Sequence, residues 1–139
     1  MADDGGIQTD ETTAANNDVS NDMTLLPAAP AVGDAYYFGL GVLWDYLRLN
    51  IGTSGIGVWA LAWEYWNGLT WSELPGLNDE TNAFTLSGWR EVNFTRPADW
   101  AVTTVGGMSD LYWIRARVSS YDSVIEQPKG SRSFCFVTH

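Results

Sequence analysis

Short apolar runs in this chain alternate with polar residues at a period of two, and Gly, Asn, Asp, Ser and Thr separate the runs. That period belongs to half-buried β-strands. Its strongest instance is Trp59-Ala60-Leu61-Ala62-Trp63-Glu64-Tyr65-Trp66-Asn67-Gly68-Leu69-Thr70-Trp71. The pattern predicts a long strand, a two-residue type I′ turn at Asn67-Gly68 and a return strand, because that turn needs positive φ at both central residues. Pairing about it sets Trp66 opposite Leu69, Tyr65 opposite Thr70, Glu64 opposite Trp71 and Trp63 opposite Ser72. Side chains alternate across a strand, so Trp59, Leu61, Trp63 and Tyr65 share one face, directed at a core. Ala60, Ala62, Glu64, Trp66 and Trp71 share the other, with Trp66 and Trp71 as diagonal neighbours.

The same reading extends along the chain. Ala35 to Phe38 is a strand stopped by Gly39 and Gly41. From Val42 to Ile51, Leu43, Leu47, Leu49 and Ile51 alternate with Tyr46, Arg48 and Asn50. Residues 52–55 form a turn and residues 75–82 a loop. Ala83 to Leu86 and Trp89 to Phe94 are short strands. Pro97 breaks the β pattern, and Trp100 plugs the end of the core. Residues 103–110 form a loop. In Leu111 to Val118, Tyr112, Ile114, Ala116 and Val118 take one face and Trp113, Arg115 and Arg117 the other. A connection with a short strand at 123–125 leads to a last strand over 131–138. About eight short strands at this spacing predict an all-β fold, an antiparallel, jelly-roll-like β-sandwich.

Residues 1–33 read as an extended N-terminal arm: Met1 to Asn21 lacks any such period and should be disordered alone, and Leu25 to Ala31 is a short Pro/Ala linker. The sandwich domain is then 34–139. Charge sharpens this division. The 139 residues carry a net −10. Seven acids and no Lys or Arg precede Tyr36, whereas ten acids face seven bases after it. Such a balance disfavours nucleic acid, which wants clustered bases. No apolar run approaches the ~20 residues of a membrane span, and the acidic N-terminus does not resemble a signal peptide. No membrane partner is expected. One cysteine, Cys135, excludes an intrachain disulfide.

Catalytic chemistry finds little support. The one histidine is His139, so no Ser-His-Asp or Cys-His arrangement stands on a rigid element. No phosphate-cradling loop or zinc spacing occurs, and neither cofactor nor metal is expected. Glu64 and Glu73 share a hairpin face, as the paired carboxylates of a glycosidase would, but two solvated acids are the plainer expectation. Asn78, Asp79, Glu80 and Asn82 offer the oxygen ligands calcium takes, and a metal-free polar loop is the favoured reading. Cys135, between Phe134 and Phe136, reads as a packed residue. The candidate binding residues are Trp66, Trp71 and Glu64. Paired indoles stack on sugars, become buried when a subunit docks, or lie under a second layer of the same domain. Arg115 and Arg117 pair with a neighbour's acidic arm or form local salt bridges. With Trp113, Leu25 and Leu26 they make up the expected interface.

The run Trp63-Glu64-Tyr65-Trp66-Asn67-Gly68, then Trp71, Phe84, Val92-Asn93-Phe94, Pro97-Ala98-Asp99-Trp100 and Tyr112-Trp113-Ile114-Arg115-Ala116-Arg117-Val118, resembles a β-sandwich module of structural proteins in tailed phages and archaeal viruses. The resemblance covers residues 36–120 and carries no catalytic residue. The outline also resembles galactose-binding-like jelly rolls, more weakly. The phage and archaeal-virus likeness implies a virion structural protein, assembled in the host cytoplasm. The expected role is capsid decoration or cement, binding the major capsid protein or other virion proteins and further copies of itself, a trimer among the options. The alternatives are a tail or baseplate component and a carbohydrate-binding or host-attachment module that takes glycans.

Overall fold

The computed structural model describes residues 2–4, 7–9, 23–26, 30–105 and 107–136. Among them there is no helix, and two antiparallel sheets pack face to face as a β-sandwich. The first sheet contains β1 (Ala2–Asp4), β2 (Ile7–Thr9), β4 (Ala35–Leu40), β6 (Ile56–Trp66), β7 (Trp71–Glu73), β10 (Val102–Val105) and β11 (Met108–Glu126). Its order is β2-β1-β4-β11-β6-β7, with β10 also paired to β11. The second contains β3 (Met23–Thr24), β5 (Tyr46–Thr53), β8 (Asn78–Asp79), β9 (Gly88–Asn93) and β12 (Lys129–Phe136), in the order β3-β12-β5-β9-β8.

The inward faces follow from the period of two. Leu47, Leu49 and Ile51 of β5 are buried against Trp63 and Tyr65 of β6 and Ile114 and Ala116 of β11. Trp44, fully buried, and Trp100 close one end, their rings 5.4 Å apart. A buried indole N–H without a partner costs stability. Each of these has one: Trp44 donates to the Tyr112 carbonyl, Trp100 to the Trp113 carbonyl and Trp63 to Asp79 Oδ2. Trp59, expected in the core, is only half-buried and donates to the Ala83 carbonyl.

Several expectations are corrected. The central hairpin pairs Trp66 with Trp71, Tyr65 with Ser72 and Glu64 with Glu73. A four-residue loop replaces the two-residue turn because Asn67 Oδ1 accepts the amides of Leu69 and Thr70, both at 2.9 Å. The strand expected at 83–86 is a turn, with Asn82, Ala83 and Phe84 all at positive φ. The Asp79 carboxylate holds it by accepting the Thr81 and Ala83 amides, while Thr81 Oγ1 accepts the Phe84 amide. The loop expected over 103–110 is a hairpin of β10 and β11. Gly39 does not stop β4: it lies opposite Trp113, where a Cβ would come within 2.6 Å of the indole.

The described part of the expected arm lies along this chain's own sheets. β1 pairs with β4, and β3 pairs with β12. Met23, Leu25 and Leu26 are buried. The remainder of 1–33, including residues 27–29 of the expected linker, falls outside the described residues, as do the end of the expected last strand and His139.

Candidate functional site

The outer face of the first sheet gathers most of the candidate residues. Cross-strand pairing sets Glu73, Glu64, Arg115 and Tyr37 in one row, and Ala62, Arg117 and Ala35 in the next. Glu64 stands between two guanidiniums. Arg115 donates from Nε to Oε1 at 2.9 Å, with a second nitrogen 2.8 Å away. Arg117 donates from Nε to Oε1 at 2.9 Å and from Nη2 to Oε2 at 3.3 Å. Burial alone would raise the Glu64 pKa, but the hydrogen bonds from Arg117 and Arg115 and their charges outweigh it and hold the carboxyl below its usual value. Glu64 is therefore ionised near neutral pH. A glycosidase's proton donor needs the opposite shift, so Glu64 is not suited to that role.

Trp66 and Trp71 are direct cross-strand neighbours, not diagonal ones, with rings 5.6 Å apart at 64°. Trp71 is not an open platform. The Arg115 guanidinium lies 4.4 Å from its ring centre, and Tyr37 packs on it at 5.5 Å. Trp71 and Tyr37 belong to a small outer cluster with Ala35, Val105 and Trp113. Trp113 was expected at an interface; it is 2% exposed and donates its indole N–H to the Thr103 carbonyl. Leu25 and Leu26, expected to meet a neighbour, are 2% exposed within this chain. Arg115 and Arg117 take the local option, since Glu64 supplies their carboxylate. Among the candidates, Trp66 keeps partial exposure without a covering cation.

The other chemical candidates also serve the scaffold. Asp79 accepts from Thr81, Ala83 and Trp63, which leaves little of its carboxylate for calcium. No metal-holding group of three His, Cys, Asp or Glu occurs among the described residues. Cys135 packs against the core with Sγ 3.9 Å from the Gly39 carbonyl, and burial pushes its thiol up to about 12.

A second aromatic group lies on the outer face of the other sheet. Trp89 stacks with Phe134 at 6.0 Å, Phe134 touches Phe136 at 6.0 Å, and Phe136 stacks on Tyr46 at 5.0 Å. Arg48 lies over Trp89 at 5.0 Å, and Trp89 is 44% exposed. The signal for it in the sequence is the pair of phenylalanines flanking an inward Cys135. Pairing that strand with β5 and β9 is what assembles the group, and pairing is not written in the local pattern.

The chain matches no family model, no curated protein sequence and no solved structure. The residues that carry the phage and archaeal-virus resemblance have internal duties here. Tyr65 donates to Asp99 at 2.6 Å, Trp100 binds the Trp113 carbonyl, Asn67 caps its loop, and Glu64 joins Arg115 to Arg117. The motif is a set of scaffold contacts. A likeness built on such contacts speaks to the sandwich before it speaks to any activity.

Proposed function

We propose that this protein is a non-catalytic assembly module, a virion structural protein that decorates a capsid lattice. One observation carries the reading. Glu64, Arg115, Arg117 and Asp79 are engaged inside the domain, while the surface offers protein-contact features: an aromatic group around Trp89 and an uncharged strand at Ile56–Ala62. Aromatic and Arg side chains dominate protein interfaces, and here Arg48 accompanies Trp89. The motif resemblance supports the virion setting. The partner is the major capsid protein or another virion protein.

The test is quantitative mass spectrometry of density-purified particles from the source of the sequence. The chain should be present in a fixed ratio to the major capsid protein and remain through repeated gradients. Its absence from particles that retain the capsid protein would overturn the proposal.

A further inference from the structure

Among the described residues, strand β6 is paired along one edge and only partly along the other. From Ile56 to Tyr65 it pairs with β11. On the other side β7 covers only Glu64, Tyr65 and Trp66, followed by one bond from the Leu74 amide to the Trp63 carbonyl. Among the described residues, no main chain pairs with that side of Ile56–Ala62. Which groups point there follows from alternation in an antiparallel ladder. The Trp63 carbonyl faces β7, and the Trp66 carbonyl faces the opposite way, to the Ala101 amide. Odd residues of β6 therefore direct N–H and C=O to the open edge: Gly57, Trp59 and Leu61.

Natural edge strands are blunted by charge, proline, bulges or short length. This one has none of those devices. Residues 56–62 read Ile-Gly-Val-Trp-Ala-Leu-Ala, without charge or proline, in a chain of which 17% is charged. The register irregularities of the pair place their extra residues on β11, so β6 itself is unbulged. Ile56 and Val58 are 54% and 60% exposed on the outer face.

We infer that a second copy of this chain covers the edge, β6 pairing with β6 antiparallel about a two-fold axis at Trp59. Three features select a copy of the same strand. Hydrogen-bond parity is correct, because Trp59 faces the edge and so forms a mutually bonded pair with itself, flanked by Gly57 with Leu61. Side-chain size is complementary in that register. Val58 falls opposite Ala60 of the second copy and Ile56 opposite Ala62, large against small on the outer face, while Gly57 meets Leu61. Length also matches. The open stretch spans residues 56–62, bounded by β7 at one end and by the turn from β5 at the other, and it meets the same seven residues. The contact is isologous and closes at two chains. It stands independently of the virion reading. Because each copy carries −10, salt should strengthen association by screening their repulsion.

The experiment uses the full chain in sedimentation velocity from micromolar to near-millimolar concentration, with amide hydrogen exchange. Two double variants alter only outward side chains: Val58→Lys with Ala60→Lys, and Val58→Glu with Ala60→Glu. In each, like charges at 58 and 60 face each other across the two-fold, which should weaken association at least about tenfold. The wild-type chain should sediment as two chains and each variant alone as one. Their mixture should restore a two-chain species containing one of each, which a misfolded variant could not do. Amides of Gly57, Trp59 and Leu61 should be protected in the wild type and exchange in the separate variants. A two-chain mass that survives the lysine substitutions would place the contact elsewhere and overturn the inference. A wild type that stays single at every concentration would also overturn it. Protected amides would then indicate cover by the chain's own residues, and exchanging amides an edge kept for a different protein.

Discussion

Replacing Glu64 with Gln tests the electrostatic centre of the outer face. The carboxylate makes contacts at 2.8–2.9 Å with Arg115 and at 2.9 and 3.3 Å with Arg117. Removing its charge leaves two guanidiniums facing a neutral amide. A hydrogen bond to a charged group contributes about 1.5–3 kcal/mol, but several on one carboxylate do not add, since they replace a single hydration shell. The Glu64, Arg115 and Arg117 side chains are 14%, 17% and 29% exposed, so water screens part of the interaction. Breaking a fully buried pair costs about 3–5 kcal/mol; with this exposure, about 2 kcal/mol is expected at pH 7. With a urea m-value of about 2 kcal/mol/M, the midpoint should fall by about 1 M. The pH dependence identifies the cause. The Glu64 pKa is depressed on folding, so its stabilisation is complete above the unfolded value near 4.5 and is lost as pH falls through the lower folded value. Wild type and variant should therefore converge in acid. Urea melts at pH 7 and at successively lower pH measure both effects. A difference below about 0.5 kcal/mol at pH 7 would show only a weak surface pair, and a larger difference that persists unchanged in acid would refute the electrostatic argument.

Other contacts make separate predictions. Tyr65→Phe removes the donor to Asp99 and should cost about 1–2 kcal/mol at pH 7 by urea melts. The hydrogen bond to Asp99, then burial, raises the Tyr65 pKa, so the wild-type advantage should hold below pH 10 and vanish as pH rises through the folded value. Ala83 occupies a left-handed conformation at φ 58°, so Ala83→Gly should stabilise by about 1 kcal/mol in the same assay, whereas an ordinary strand position would be weakened by glycine. The Cys135 thiol, partly buried and raised to about 12 by burial, should react with an aromatic disulfide reagent at pH 8 much more slowly than a free thiol; labelling at the free-thiol rate would refute this.

The faces of the strands were legible in the sequence to a degree that their register was not. The expected hairpin paired Trp66 with Leu69, and the observed one pairs it with Trp71, a slip of two residues along the return strand. An even slip returns each side chain to the same face, so Glu64, Trp66 and Trp71 remained together although their partners changed. The turn type was missed because Asn67 was read for its tolerance of positive φ. Its side chain instead collects two amides, a competing use of the same residue. The alternation of Arg115 and Arg117 with Ile114 and Ala116 put both guanidiniums on the outer face, but it could not name their carboxylate. Glu64 is 51 and 53 residues away and becomes adjacent only because β6 and β11 pair.

Strand order governs the remaining differences and also the proposed association. Ala83-Phe84 has the composition of a strand, yet its conformation is set by Asp79, itself oriented by Trp63 from the facing sheet. Leu25 and Leu26 sit in a stretch whose composition reads as a linker, and their burial depends on β3 finding the edge of β12. The same dependence applies to Ile56–Ala62. Alternation marks that segment as a strand with apolar residues on both faces, which reads equally as the interior of a sheet. Only the placement of β7, which stops at Glu64, leaves its main chain without a partner among the described residues. A central-strand composition on an edge is a conflict between local sequence and the single-chain fold. In the proposed dimer, pairing with a second β6 removes that conflict by making the edge interior.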